Sequence, residues 1–180
     1  MTSFNLSDKV TVSGTDYPIR TDFRVILEIF IMLDDPDLTD ADKTEALLRM
    51  FYVNRPPVAE LALQAFTDFV DPRHGSQGKK SSGRLIDWAQ DFDLMVAPIN
   101  HILGFECRAV EYLHWRTFLS AYLEIPPDSV FARVLRIREK LRTGKKLEKN
   151  ERAWYNKNRD LVHLKPKFSR AEEEIINGWT

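Results

Sequence analysis

Disulfide chemistry is closed to this chain, because Cys107 is the one cysteine among its 180 residues. A lone thiol cannot bridge internally, and its isolation suits a reducing compartment. Glycine is also scarce. The seven present form no cluster, which leaves out the phosphate-cradling Walker loop, the dinucleotide fingerprint and the nucleophile elbow. Long apolar runs are missing as well: charges interrupt every hydrophobic stretch short of the roughly 20 residues that a membrane span needs. The first residues, Met1-Thr2-Ser3-Phe4-Asn5-Leu6, have neither a basic start nor an apolar run, so no secretory signal is expected there. A net charge of -1 argues against a protein that coats nucleic acid or an anionic membrane by charge alone. The expectation is a soluble, intracellular protein.

What remains is an ordinary globular balance. Apolar residues at 43% and charged residues at 29% exclude wholesale disorder, and the length suffices for one domain with a sizeable core. Residues 1–180 are expected to form a single, mainly α domain. Its periodicities suggest a multi-helix bundle of about six to seven helices with a small N-terminal β-hairpin. The charge is uneven. From Arg133 to Arg170 there are fourteen Lys or Arg against only Glu139, Glu148, Glu151 and Asp160, while the first half leans acidic. That asymmetry is the one compositional hint about partners.

Residues 9–20 carry the hairpin pattern. Val10 and Val12 alternate with Thr11 and Ser13, Gly14-Thr15-Asp16 offers a turn, and Tyr17 to Ile19 returns. Pro18 lacks an amide donor and belongs at an edge, and a lone hairpin should lean on a helix. Thr21 can cap a first helix with Phe23, Ile26, Phe30 and Leu33 on one face. Thr39-Asp40-Ala41-Asp42 resembles a capping box for a second, which buries Leu47, Leu48 and Phe51. Pro56-Pro57 opens a third along Val58, Leu61, Ala65 and Phe69. Gly, Ser, Pro and like charges at 71–84 read as a flexible loop. Asp93 can cap a helix that has Pro98 near its first turn and stops at Gly104. A helix from 108 to 123 would be apolar on two faces and therefore central. After Pro126-Pro127, Val130, Val134, Ile137 and Leu141 point inward, with Arg133, Arg136, Arg138, Lys140 and Arg142 largely outward. A C-terminal helical extension fills 145–180: Leu147, Trp154 and Leu161 mark one helix, and Ser169 with Glu172 caps a last one whose apolar face is Phe168, Ile175, Ile176 and Trp179.

The residues that could carry chemistry lack the patterns it needs. His101, Cys107 and His114 lack the paired spacing of zinc ligands. A calcium loop from Asp35 fails, since Pro36 follows the first acid, Asp40 replaces the needed glycine and Ala46 stands where a bidentate Glu belongs. Cys107 and His114 have no evident third group to orient them as a catalytic pair. Glu172-Glu173-Glu174 suits a first helical turn through the dipole alone. The basic run includes Trp154, Tyr155 and Phe168, a mix that can serve phosphate contact and stacking. Its aromatics, however, fall on the apolar stripe, which favours a solvated or salt-bridging surface. No enzyme, metal or cofactor is implied.

Some short pieces are more distinctive. Tyr17-Pro18-Ile19 ends the hairpin, Thr21-Asp22-Phe23-Arg24 opens the first helix, and aspartates stand from Asp91 to Asp93. Leu113-His114-Trp115 is followed by Phe118, and Arg136-Ile137-Arg138 lies on a later Arg-rich helix. In this order, across residues 9–142, they resemble the bacteriophage "gene product fifteen" family, encoded beside the tape-measure gene of long-tailed phages and prophages. The family often has a second tryptophan after the first, where this chain has Arg116. Residues 71–84 and the last helix have no counterpart in the resemblance.

The resemblance implies a tail-morphogenesis role in the cytoplasm of the bacterial host. Such a protein is a tail assembly chaperone: it binds the helical tape-measure protein, keeps its apolar surface soluble, recruits the major tail protein and leaves the finished tail. The matching residues Tyr17, Pro18, Asp22, Phe23, Asp93, His114, Trp115 and Phe118 read as structural, because a helical core needs aromatics and one hydrogen bond can satisfy a buried histidine. Candidate partner-binding residues are Arg133, Arg136, Lys140, Arg142, Lys145 and Lys146, whose charges could steer and orient a partner. Two other classes stay open: a nucleic-acid-binding phage or regulatory protein using the helices at 133–170, and a structural head–tail connector. Nucleic acid is the disfavoured partner, no membrane partner is expected, and self-association is left open.

Overall fold

In the computed structural model, which describes residues 5–71 and 84–178, the hairpin consists of β1 (Lys9–Val12) and β2 (Thr15–Pro18). Val12 lies opposite Thr15, so the loop is Ser13-Gly14, with φ of 50° and 80°. Two left-handed residues in a row are what a tight hairpin requires, because this twist matches that of the strands. Nine helices follow among the described residues: α1 (Phe23–Leu33), α2 (Asp40–Phe51), α3 (Ala59–Val70), α4 (Trp88–Leu103), α5 (Trp115–Leu123), α6 (Val130–Arg142), α7 (Lys149–Lys157), α8 (Arg159–Val162) and α9 (Arg170–Asn177). The protein is thus mainly helical with a small antiparallel N-terminal hairpin. The loop expected at 71–84 falls, for residues 72–83, outside the described residues. No described helix is long and apolar enough to cross a membrane. The chain divides into two compact units, one of Met1–Lys80, Glu111–Phe118 and Lys167–Thr180, the other of Ser81–Val110 and Leu119–Pro166.

In the first unit β1 packs on α3, the helical support that a two-stranded sheet needs. Pro18 is the last residue of β2 and gives only its carbonyl, which accepts from the Val53 amide at 3.0 Å. The cap of α1 is Asp22 rather than Thr21: the Asp22 carboxylate accepts from the Arg24 amide, while the Thr21 hydroxyl meets that of Tyr112 at 2.6 Å. The Thr39 capping box forms as expected, and α2 buries Leu47, Leu48 and Phe51. The buried face of α3 is Ala62, Phe66 and Phe69, whereas Val58 and Leu61 are exposed. The helix turns this way because Phe66 and Phe69 both pack on Phe51, at ring separations of 4.9 and 5.4 Å. The Ser169 box caps α9. Lys167 pairs with Asp34 at 2.8 Å and the Arg170 amide donates to Asp37 at 2.8 Å, so polar contacts hold the start of this helix. Its expected apolar face is not buried: Phe168, Ile175 and Ile176 are exposed, and Trp179 lies outside the described residues.

The second unit departs further from the sequence expectations. Asp87, not Asp93, caps α4 by accepting from the Gln90 amide. Asp93 therefore lies inside the helix with its side chain 89% exposed, and Pro98 sits in the helix interior rather than its first turn. Gly104, at φ 77°, ends α4 as expected, since a left-handed stop costs glycine least. The helix expected over 108–123 begins only at Trp115, and Tyr112, placed on its apolar stripe, is 56% exposed. In α6, Val134 and Ile137 are buried but Val130 and Leu141 are exposed. Arg138, expected outside, is buried. The continuous helix marked by Leu147, Trp154 and Leu161 breaks at Asn158, whose side chain donates to the Trp154 carbonyl and leaves α7 and α8 separate.

The turn after α4 contains a carboxylate with a shifted titration. Glu106 accepts from Asn100 Nδ2 at 2.7 Å and from both the amide and the guanidinium of Arg108. The Arg108 hydrogen bonds, more than any other influence, lower its pKa from 4.5 to about 2. Because the folded value is depressed, this contact stabilises the turn fully above pH 4.5 and is lost as pH falls through about 2. A carboxyl-carbon NMR titration should place the Glu106 midpoint near 2, with the amide shifts of Cys107 and Arg108 following it. A midpoint at 4.5 would show that the turn does not hold.

Candidate functional site

Two of the distinctive sequence pieces meet in the first unit. Residues 21–23 and 113–115 run antiparallel, with Asp22 bridged to His114. The Phe23 amide donates to the Leu113 carbonyl at 2.9 Å and the Trp115 amide to the Thr21 carbonyl at 2.6 Å. One carboxylate does two tasks: Asp22 Oδ1 caps α1, and Oδ2 accepts from the Leu113 amide at 3.1 Å. His114 Nδ1 accepts from the Arg116 amide, so Nε2 carries the proton and donates to the Ser7 carbonyl at 3.1 Å. Both ring nitrogens are thus committed to backbone. Phe23 stacks on Phe118 at 4.5 Å, and Trp115 lies against Phe118 and Phe30. Tyr17 packs edge-on to Tyr52. These contacts make Phe23, His114, Trp115 and Phe118 parts of one buried assembly with half-buried Asp22 beside them, while Asp93 lies exposed in α4.

The basic candidates divide sharply. Arg133 lies over the Trp154 ring at 5.4 Å, and Arg136 donates to the Pro127 carbonyl at 2.6 Å. Lys140 holds the Glu151 carboxylate at 2.6 Å, and this contact keeps the Glu151 pKa below its ordinary value. Arg142 pairs with Glu139. Four of the six cations are therefore engaged within their own unit. Lys145 and Lys146 are not: both are exposed, and among the described residues neither side chain meets a carboxylate. They flank an open cleft of about 360 Å³ between the end of α6 and α7, together with Arg152 over Leu141, Leu147 and Tyr155. The turn that shapes it is locally encoded. Gly144 is left-handed at φ 67°, the Lys145 amide donates to the Lys140 carbonyl and the Gly144 amide to that of Leu141, the paired bonds of a Schellman stop.

Sequence reasoning missed Arg152 as a member of this cleft, and it missed the pairing of Arg138 with Asp91. Both signals were present. Lys149, Arg152 and Asn156 share a helical face by spacing, and Arg138 continues the buried row Phe131–Val134 of α6. Asp91 likewise stands in register with Met95 and Ile99. Two opposite charges on two apolar stripes call for one another. Among the described residues, no group of three or more His, Cys, Asp or Glu side chains could hold a metal ion.

The protein is a mainly helical scaffold in which the motif residues Phe23, His114, Trp115 and Phe118 are buried and Lys145, Lys146 and Arg152 line a surface cleft. The chain belongs to the bacteriophage Gp15 protein family, whose model matches residues 5–164. Membership implies a protein of phage morphogenesis. The match ends ahead of α9, so that helix lies beyond the common span. No curated protein and no solved structure matches the chain.

Proposed function

We propose that this protein is a tail assembly chaperone, acting in the host cytoplasm by binding the tape-measure protein and major tail subunits without catalysing a reaction. The observation that carries this reading is the family match over residues 5–164, to a bacteriophage family. The surface is compatible with it. An amphipathic partner helix needs apolar anchor points and orienting charges; Phe168, Ile175 and Ile176 are exposed in the first unit, and Lys145 and Lys146 in the second. A reversible partner also calls for a modest, partly charged interface.

Co-expression with the tape-measure protein of the same phage tests the proposal. The expected outcome is co-purification and a clear rise in soluble tape-measure protein. Neither effect appearing would overturn the reading. Purified virions should lack this chain; its stable presence there would favour a head–tail connector instead.

A further inference from the structure

We propose that the cleft between the end of α6 and α7 is a docking site for an acidic, amphipathic segment of a protein partner. The inference rests on the reading that this protein works by binding other proteins, and adds the chemistry of the segment that is bound. Three cations converge there, Lys145, Lys146 and Arg152, over a floor that includes Leu141 and Leu147. Leu141 is 41% exposed, an apolar residue left open where the charges gather. Of the nearby acids Glu151 is engaged, while the Glu148 side chain is 81% exposed and lies 3.9 Å from Lys140. Glu151 is held by Lys140 and by the Glu148 amide, and Glu148 and Glu151 close the capping box of α7. Three cations against the one open acid, Glu148, leave the cleft with a positive excess, and charge complementarity selects an anionic occupant.

The floor decides which kind of anion. A small inorganic anion would use the cations and leave Leu141 and Leu147 uncovered. A single-stranded nucleic acid would want open aromatic faces for stacking, and the rings nearby are spent. Trp154 lies under the Arg133 guanidinium at 5.4 Å, and the Tyr155 ring lies under the Arg159 guanidinium at 5.6 Å and beside the His163 ring at 5.7 Å. An acidic segment with leucine-like anchors at helical spacing meets both demands, its carboxylates on the three cations and its apolar side chains on the two leucines.

The test uses the full chain and three fluorescent probes: a helix-forming peptide of Glu and Leu, its counterpart with every Glu replaced by Gln, and a single-stranded oligonucleotide. Binding is followed by anisotropy at low and high salt, with the wild type, the double variant Lys145→Glu/Lys146→Glu and the variant Leu141→Ser. Unchanged thermal melts would show that the variants remain folded. The Glu peptide should bind most tightly and weaken with salt. The double variant should lower its affinity by about tenfold or more, a factor worth about 1.4 kcal/mol. Leu141→Ser should weaken the same peptide without altering its salt dependence.

Equal binding of the Glu and Gln peptides, or an unaffected double variant, would overturn the proposal. Tighter binding of the oligonucleotide, abolished by the same variant, would also overturn it and assign the cleft to nucleic acid. Co-expression separates this proposal from the tail role. A double variant that captures the tape-measure protein as well as the wild type does counts against the cleft alone. A wild type that binds the Glu peptide in the charge-dependent way but ignores the tape-measure protein supports the cleft and counts against the tail role.

Discussion

Replacing Arg138 by alanine should destabilise the protein by about 3–5 kcal/mol, the usual cost of stripping one partner from a buried ion pair. The guanidinium uses all its donors. Nη1 and Nη2 bond the two oxygens of Asp91 at 2.6 and 2.9 Å, Nε reaches the Val162 carbonyl at 2.6 Å, and the remaining hydrogens go to the carbonyls of Leu85 and Leu161. The Asp91 and Arg138 side chains are 0% and 5% exposed. Truncation would leave a carboxylate and three carbonyls without the group that satisfies them, and water cannot readily take its place. The loss should be cooperative, because this one side chain ties α4, α6, α8 and the segment before α4.

Two further variants make the argument specific. Arg138→Lys keeps the charge but has three donors and no planar fork, so it should recover only part of the loss. Replacing both partners by apolar residues, Asp91→Leu with Arg138→Met, should be less harmful than Arg138→Ala alone, since no charge is then stranded. Urea denaturation of the four proteins checks the order. An Arg138→Ala variant within about 0.5 kcal/mol of the wild type, the range of ordinary surface substitutions, would mean that the pair is not enclosed as described.

This pair also shows where sequence reasoning stopped. Features decided within one turn of chain were legible: the hairpin, the Thr39 and Ser169 capping boxes, and the stop at Gly104. Each depends on neighbours a few residues away. Features decided by distant partners were not. Asp87 and Asp93 are equally good caps by composition, and the choice turns on Asp91 facing Arg138 across 47 residues of chain. The aromatic spacing around Tyr112 and Trp115 mimics a helix, yet the helix starts only at Trp115, because the backbone around His114 is paired with residues 21–23. For the basic cleft, the sequence supplied a charge excess without its internal accounting. Only the structure shows that Lys140 and Arg142 are engaged while Lys145 and Lys146 are open.

Trp115→Ala should cost about 3–5 kcal/mol, as large aromatic truncations in a core do. The side chain is 2% exposed, lying 5.8 Å from Phe118 and 5.7 Å, edge-on, from Phe30. Its indole Nε1 donates to the Val70 carbonyl at 3.1 Å, one of the acceptors that the end of α3 leaves without a helical partner. Truncation therefore opens a cavity and orphans that carbonyl together. Trp115→Phe also loses the donor but keeps a six-membered ring and opens a smaller cavity, so its cost should fall to about 1–3 kcal/mol, the penalty for stranding one buried acceptor. Urea denaturation measures both, and tape-measure capture at a temperature where each variant stays folded separates structure from recognition. The structural role predicts that the folded Trp115→Phe protein captures its partner as the wild type does. A Trp115→Ala protein of full stability that no longer captured the partner would instead move this residue from the core to the interface.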